Sequence, residues 1–143
     1  MIDKLLITKK LSELKNNLKV LYELRETPFG ELSDSVKNQW TIFYGLQVSI
    51  QIIIDIGNHI LASIGENQIE DYVDIIEKLG KRGVIPENFA NKIRNMPGLR
   101  NILIHEYGVI NIKKIYDILQ NNLSDFEDFI LYITEFLKKE KPS

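Results

Sequence analysis

The chain has 143 residues, a formal net charge of −2 and no cysteine. Its length suits a single domain over residues 1–143, large enough to bury a core without staples. The missing cysteines exclude disulfides and thiolate metal sites. The mild acidity excludes a protein that coats nucleic acid by charge alone, and the lack of cysteine fits a reducing cytoplasm.

The opening run MIDKLLITKKLSELKNN is charged throughout and lacks the uninterrupted apolar core of a signal peptide. Leu11, Leu14, Leu18 and Leu21 recur at 3-4-3 spacing among lysines and glutamates, which predicts a first helix over residues 2–25. Thr27-Pro28-Phe29-Gly30 ends it, because proline biases the preceding residue away from helical geometry. Ser33 or Asp34 is expected to cap a long second helix that carries Trp40, Phe43, Tyr44, Leu46, Ile50, Ile53, Ile54, Ile60 and Leu61 and stops at Gly65. Its isoleucine content opposes helix propensity, so burial on more than one side has to support it. The most apolar stretch, VSIQIIIDIG, is broken by Gln51 and Asp55 and is too short to cross a bilayer, so no membrane segment is expected.

A third helix is predicted over residues 68–79, closed by Gly80, and Pro86 suits the first turn of a fourth. That fourth helix is expected to kink or restart at Pro97-Gly98, to continue through His105 to Tyr107, and to be capped by Gly108. Beyond Asn111 the helical pattern returns, breaks near residues 122–124 and ends in the polar tail KKEKPS. With no hairpin signal and no repeat, the expected fold is all-α, an antiparallel up-and-down bundle of about five helices.

The segment RNILIHEY, residues 100–107, concentrates chemistry that folding does not require. It holds one of the two histidines together with an arginine, an asparagine and a tyrosine. Arg100 can hold a phosphate by two parallel N–H bonds, and Asn101 can orient an imidazole or a substrate oxygen. His105 can exchange a proton with a ribose 2′-hydroxyl or a leaving oxygen. On one straight helix, however, Arg100 and His105 lie about 140° apart around the axis, so a bend or a second copy has to complete the site. A single motif histidine per chain also leaves either the base or the acid unsupplied, which again points to a dimer. The bland alternative, a histidine satisfied structurally, stands beside this reading. Six basic residues between Lys78 and Arg100, with only Glu87 against them after Lys78, lead into the segment; a solvated face explains them equally well.

Asp55 and His59 in DIGNHIL are four apart and share a helical face. Two ligands are too few for a metal, so they read as a polar patch: a buried carboxylate–imidazole pair tying two helices, or a polar seam opposite the active segment. Gly57 and Asn58 between them suggest a close backbone approach and a polar contact.

RNILIHEY resembles the Arg-x4-His-x-Tyr signature of the HepT-like (DUF86) toxins of the HEPN superfamily. DIGNHIL, LGKRGVIPENFANKI and INIKKIYDIL resemble the family in the same order, so the likeness covers nearly the whole chain. Pro97-Gly98 departs from the family's smooth helix just before the motif. The resemblance implies a homodimeric helical bundle, cytoplasmic, that cleaves RNA without metal or other cofactor. Arg100 and His105 would be the catalytic pair and Asn101 their support. It also implies a partner, a minimal MNT-type nucleotidyltransferase antitoxin that transfers AMP to the motif tyrosine, here Tyr107. An anionic adduct beside Arg100 would occupy the phosphate position and repel RNA. HEPN-like bundles also serve as non-catalytic subunits that bind nucleotide or substrate for a nucleotidyltransferase, which is the alternative reading, and a helical scaffold with an accidental motif is the third.

Overall fold

A computed structural model describes residues 2–140, with the backbone alone at Tyr107. Eight α-helices and one 3₁₀ turn make up the described residues: α1 (Lys4–Arg25), α2 (Phe29–Asp34), α3 (Val36–Ser63), α4 (Tyr72–Lys81), α5 (Glu87–Ile93), α6 (Met96–His105), the 3₁₀ turn Tyr107–Val109, α7 (Ile112–Asn121) and α8 (Leu123–Lys139). This is the expected all-α bundle. The three helices beyond five arise where the chain breaks: Pro28 starts the short α2 before the long helix, the fourth region splits into α5 and α6, and Asn122 separates α7 from α8.

The long helix α3 is the hub, lying against α1, α2, α4 and α6. Ile52, Ile53 and Ile54 are buried in succession, which a one-sided helix cannot achieve, so neighbours on several sides compensate the β-branched run. This accounts for the helix's hydropathy: it is long and apolar enough to cross a membrane by composition, yet Ile42, Leu46, Ile50, Ile53, Ile56 and Ile60 are spent on the bundle core. Helix α1 is amphipathic in the ordinary way, burying Ile7, Leu11, Leu14, Leu18 and Leu21. It runs antiparallel to α3, since Asp3 meets His59, Lys10 meets Asp55 and Leu21 packs at Gly45. Helix α8 is antiparallel to α1 as well: Lys4 Nζ donates to the Glu140 carbonyl at 2.8 Å.

Caps fix several boundaries and correct some expected ones. Ser35, rather than Ser33 or Asp34, caps α3 by accepting the Asn38 N–H at 3.1 Å, because residues 29–34 are already helical. Asp3 and Asp71 cap α1 and α4, so these helices begin two and four residues later than the pattern suggested. Gly65 ends α3 as expected, with φ +85° and the Glu66 N–H reaching back to the Leu61 carbonyl at 2.9 Å. Helix α4 ends not at Gly80 but at Gly83, φ +74°, where the Val84 N–H reaches the Leu79 carbonyl at 3.0 Å. Gly80 is inside the helix for another reason: a Cβ there would sit 2.8 Å from the Ala90 Cβ, so its absence lets α5 approach. Gly57 plays the corresponding part between α3 and α4, where a Cβ would lie 2.8 Å from Ile75.

Candidate functional site

Residues 100–105 form the second half of α6. Helix α5 stops at Ile93, and a new helix starts at Met96 with Pro97 in its first turn, where the missing N–H costs nothing. Pro97-Gly98 is thus a restart, and no Cβ is excluded at Gly98. Buried Pro97 and Leu103, with half-buried Met96 and Leu99, press one face of α6 onto the core. The orientation of Arg100 follows from this seating.

Arg100 crosses to α3. Its Nε donates to Gln51 Oε1 at 2.7 Å, and its Nη1 donates to Asn101 Oδ1 at 2.9 Å. Gln51 is held in turn, donating from Nε2 to Asp55 Oδ1 at 2.8 Å, while Asp55 Oδ2 lies 3.8 Å from Lys10 Nζ. The guanidinium carbon stands 5.4 Å from the centre of the Tyr72 ring, within cation–π range. Both hydrogen-bond acceptors of Arg100 are neutral amides. Among the described residues no carboxylate pairs with it, so its full charge and three of its five N–H groups remain for an anion.

The other basic residues of this stretch are differently placed. Lys78 pairs with Asp74 at 3.0 Å, Arg82 with Glu66 at 3.0 Å, Lys92 with Asp125 at 3.1 Å and Arg94 with Glu77 at 2.7 Å. Hydrogen bonding to the Glu70 N–H, and then to Lys78, holds the Asp74 carboxyl below its usual range. The contact with Asp125 raises Lys92. Four of the five other cations of the run are thus paired with acids, Lys78 within α4 and the other three over longer range, whereas Arg100 is held by two uncharged amides.

The remaining sequence-level candidates divide. Asn101 is joined to Arg100 directly. His105 is exposed on the last residue of α6, and no described hydrogen bond links it to Arg100. Helix α6 ends at His105, with the Glu106 N–H closing onto the Ile102 carbonyl at 2.9 Å. Tyr107 therefore does not continue the helix: its backbone opens the 3₁₀ turn, and its side chain lies outside the described residues. Gly108 sits inside that turn without positive φ, so it is not the left-handed cap expected of it.

Asp55 and His59 do not form a buried pair. Asp55 turns to Gln51 and Lys10, whereas His59 Nε2 accepts the Asp3 N–H at 3.3 Å and ties down the start of α1. Asp55 thus belongs to a polar seam reaching the motif, and His59 to a helix start. Two residues that contact Arg100, Gln51 and Tyr72, are not singled out by the sequence pattern. Gln51 was visible as a polar break in an isoleucine run; Tyr72 carried no signal, since its neighbour in space is separated from it by 28 positions.

Beside Arg100, the starts of α4 and α6 enclose a recess of about 410 Å³, lined by Asp71, Tyr72, Val73, Pro97, Gly98 and Asn101. A second cavity of about 280 Å³ lies on α3, and Tyr72, Asp71 and Asp55 are among its walls. The described residues hold no cluster of three or more histidines or carboxylates of metal-binding geometry.

A family model described as ribonuclease HepT-like matches residues 7–133. An mRNA nuclease HepT of Shewanella oneidensis is 27% identical over 128 residues, covering 87% of this chain and 93% of the relative. A tRNA nuclease HepT of Aphanizomenon flos-aquae is 24% identical over 136 residues, covering 95% and 92%. Among solved structures, the tri-AMPylated Shewanella oneidensis HEPN toxin in complex with MNT antitoxin is similar with TM-score 0.84 and 26% identity, over 94% of this chain and 99% of that one. YutE of Bacillus subtilis, a cytosolic protein of unknown function, has TM-score 0.85 over 99% and 96% of the chains, and at 19% identity shows a shared fold alone.

Proposed function

The chain belongs to the ribonuclease HepT-like family, and on that premise we propose that it is a cytoplasmic ribonuclease toxin acting through Arg100 and His105 and silenced by an MNT-type nucleotidyltransferase antitoxin. The observation that carries the reading is the state of Arg100: oriented by two neutral amides, unpaired with any described carboxylate, and open on its remaining N–H groups. Arg82 and Arg94, by contrast, are each matched to an acid. One held by amides keeps its charge for a phosphate.

In the proposed reaction the guanidinium binds the scissile phosphate and carries the charge that builds on it. A histidine takes the 2′-hydroxyl proton, the 2′-oxygen bonds to phosphorus, and the bond to the 5′-oxygen breaks. That oxygen takes its proton from a second acid, leaving a cyclic phosphate. One His105 cannot be base and acid at once, so the second comes from another copy of the chain. Two apolar residues near His105 support self-association at this place: Ile102 is 42% and Val109 81% exposed. Asn101 keeps Arg100 in register. The handle for regulation is Tyr107, to which the antitoxin transfers AMP, and its place in a turn after the helix lets it be modified without unwinding α6.

The test combines RNA cleavage in the presence of EDTA with sedimentation and intact-mass analysis after co-expression with the nucleotidyltransferase. Wild type should cleave and sediment as a dimer, Arg100→Ala and His105→Ala should lose roughly 10²–10⁴-fold, and AMP on Tyr107 should stop cleavage. RNA left intact by well-folded wild type would support the binding-subunit alternative, in which His105→Ala alters only binding.

A further inference from the structure

Next to the phosphate-competent arginine lies a recess that the reaction above does not use. Tyr72 is the first residue of α4 and is 41% exposed. Arg100 covers part of its ring at 5.4 Å. The rest of the ring lines the 410 Å³ recess between α4 and α6, a space larger than a single heterocycle needs.

The recess has polar walls of defined hydrogen-bonding sense. Asn101 Oδ1 is occupied by Arg100 Nη1, which orients the amide and leaves Nδ2 to donate. Asp71 uses Oδ1 to accept the Asp74 N–H at 2.8 Å, and its other carboxylate oxygen has no partner among the described residues. A carboxylate in the wall disfavours a second phosphate. It favours a flat, uncharged group that carries an N–H donor, and a nucleobase is such a group.

We propose that this recess is a nucleobase subsite: one base of the RNA stacks on Tyr72, accepts a hydrogen bond from Asn101 Nδ2 and donates one to Asp71, while an adjoining phosphate rests on Arg100. The inference depends on the ribonuclease reading of the same site. RNA bound in this way is single-stranded at that nucleotide, because a paired base has neither its face nor its edge available.

The test is fluorescence anisotropy with two labelled twelve-nucleotide probes, both 2′-O-methylated against cleavage, one carrying mixed bases and one fully abasic. Wild type should bind the base-bearing probe about ten-fold more tightly than the abasic one, a difference within what one aromatic stack supplies. Tyr72→Leu should lose most of that difference, any loss of the contact with Arg100 lowering both probes alike, and Tyr72→Phe should preserve it. If Tyr72→Leu does not fold by circular dichroism, Tyr72→Trp replaces it and should widen the difference. Equal binding of both probes by wild type, or a difference that the folded Tyr72 variant leaves unchanged, would overturn the subsite alone. Wild type that binds neither probe would instead overturn the ribonuclease reading beneath it.

Discussion

Gln51 is where the reasoning about Arg100 is most exposed to test. Its Oε1 accepts the Arg100 Nε–H at 2.7 Å, and its Nε2 is anchored on Asp55 at 2.8 Å, so the amide can turn neither way without losing a bond. Gln51→Leu removes both bonds and keeps a similar volume. A hydrogen bond to a charged group contributes about 1.5–3 kcal/mol, and because Arg100 is only half-buried the lower end applies. Roughly 1.5 kcal/mol corresponds to about ten-fold in RNA affinity and in kcat/KM, with looser positioning at the reacting phosphate adding to the kinetic loss. Gln51→Glu is the informative control. It keeps an acceptor for Nε and places a carboxylate on the guanidinium. The second oxygen loses the bond to Asp55 and is repelled by that carboxylate, which drives the new side chain onto Arg100, so the charge of Arg100 is neutralised and RNA affinity should fall at least as far. The assay is Kd for an uncleavable RNA beside kcat and KM for a cleavable one, in wild type and in the Arg100→Ala background. If Gln51 acts through Arg100, Gln51→Leu should cost about ten-fold in the first and almost nothing in the second. Equal losses in both backgrounds, or a Gln51→Glu protein with wild-type affinity, would refute the argument that amide contacts reserve the arginine's charge.

Three further outcomes follow from the bundle. Ser49 is fully buried on α3 with no hydrogen-bond partner for its hydroxyl, so Ser49→Ala should raise stability by about 1 kcal/mol in urea titration, helped by alanine's better helix propensity. Gly80→Ala should do the opposite despite the same propensity gain, losing about 1–3 kcal/mol, since its Cβ would meet Ala90 Cβ at 2.8 Å with no flexible side chain to yield. The Tyr22 hydroxyl is pushed up to about 12 by burial and by its hydrogen bond to Glu127. The folded state therefore holds this proton more tightly than the unfolded chain; its contribution is complete below about pH 10 and is lost as pH rises toward 12. Denaturation midpoints across that interval should fall more steeply for wild type than for Tyr22→Phe, and parallel curves would contradict the assignment.

The bundle was legible because its signals are local. Leucines at helical spacing mark α1, Pro28 marks a break, Gly65 terminates α3 with the positive φ that glycine permits, and Asn122 interrupts the last pair of helices. Errors arose where one residue type serves two purposes. Gly80 and Gly83 are both near the end of α4, yet one admits a neighbouring helix and the other turns the chain, and only the Ala90 Cβ across the interface distinguishes them. Gly108 looks like a helix cap from its place after the motif. The helix has already closed through the Glu106 N–H before reaching it.

The site was legible in part for the same reason. Arg100 and Asn101 are neighbours in sequence and remain so in space, whereas the groups that give Arg100 its character lie 49 and 28 positions upstream at Gln51 and Tyr72. The run from Lys78 to Arg94 fits its reading as a solvated face: Asp74 within α4, and Glu66, Asp125 and Glu77 from farther away, pair with four of its five cations. On the proposed reading, what fits Arg100 to a substrate phosphate is the pair of neutral amides that hold it. An amide and a carboxylate are nearly the same size and shape, so a sequence reader sees Gln51 as an interruption in an apolar helix. On the proposed reading, the difference of one charge at that position decides whether Arg100 stabilises the bundle or receives a phosphate.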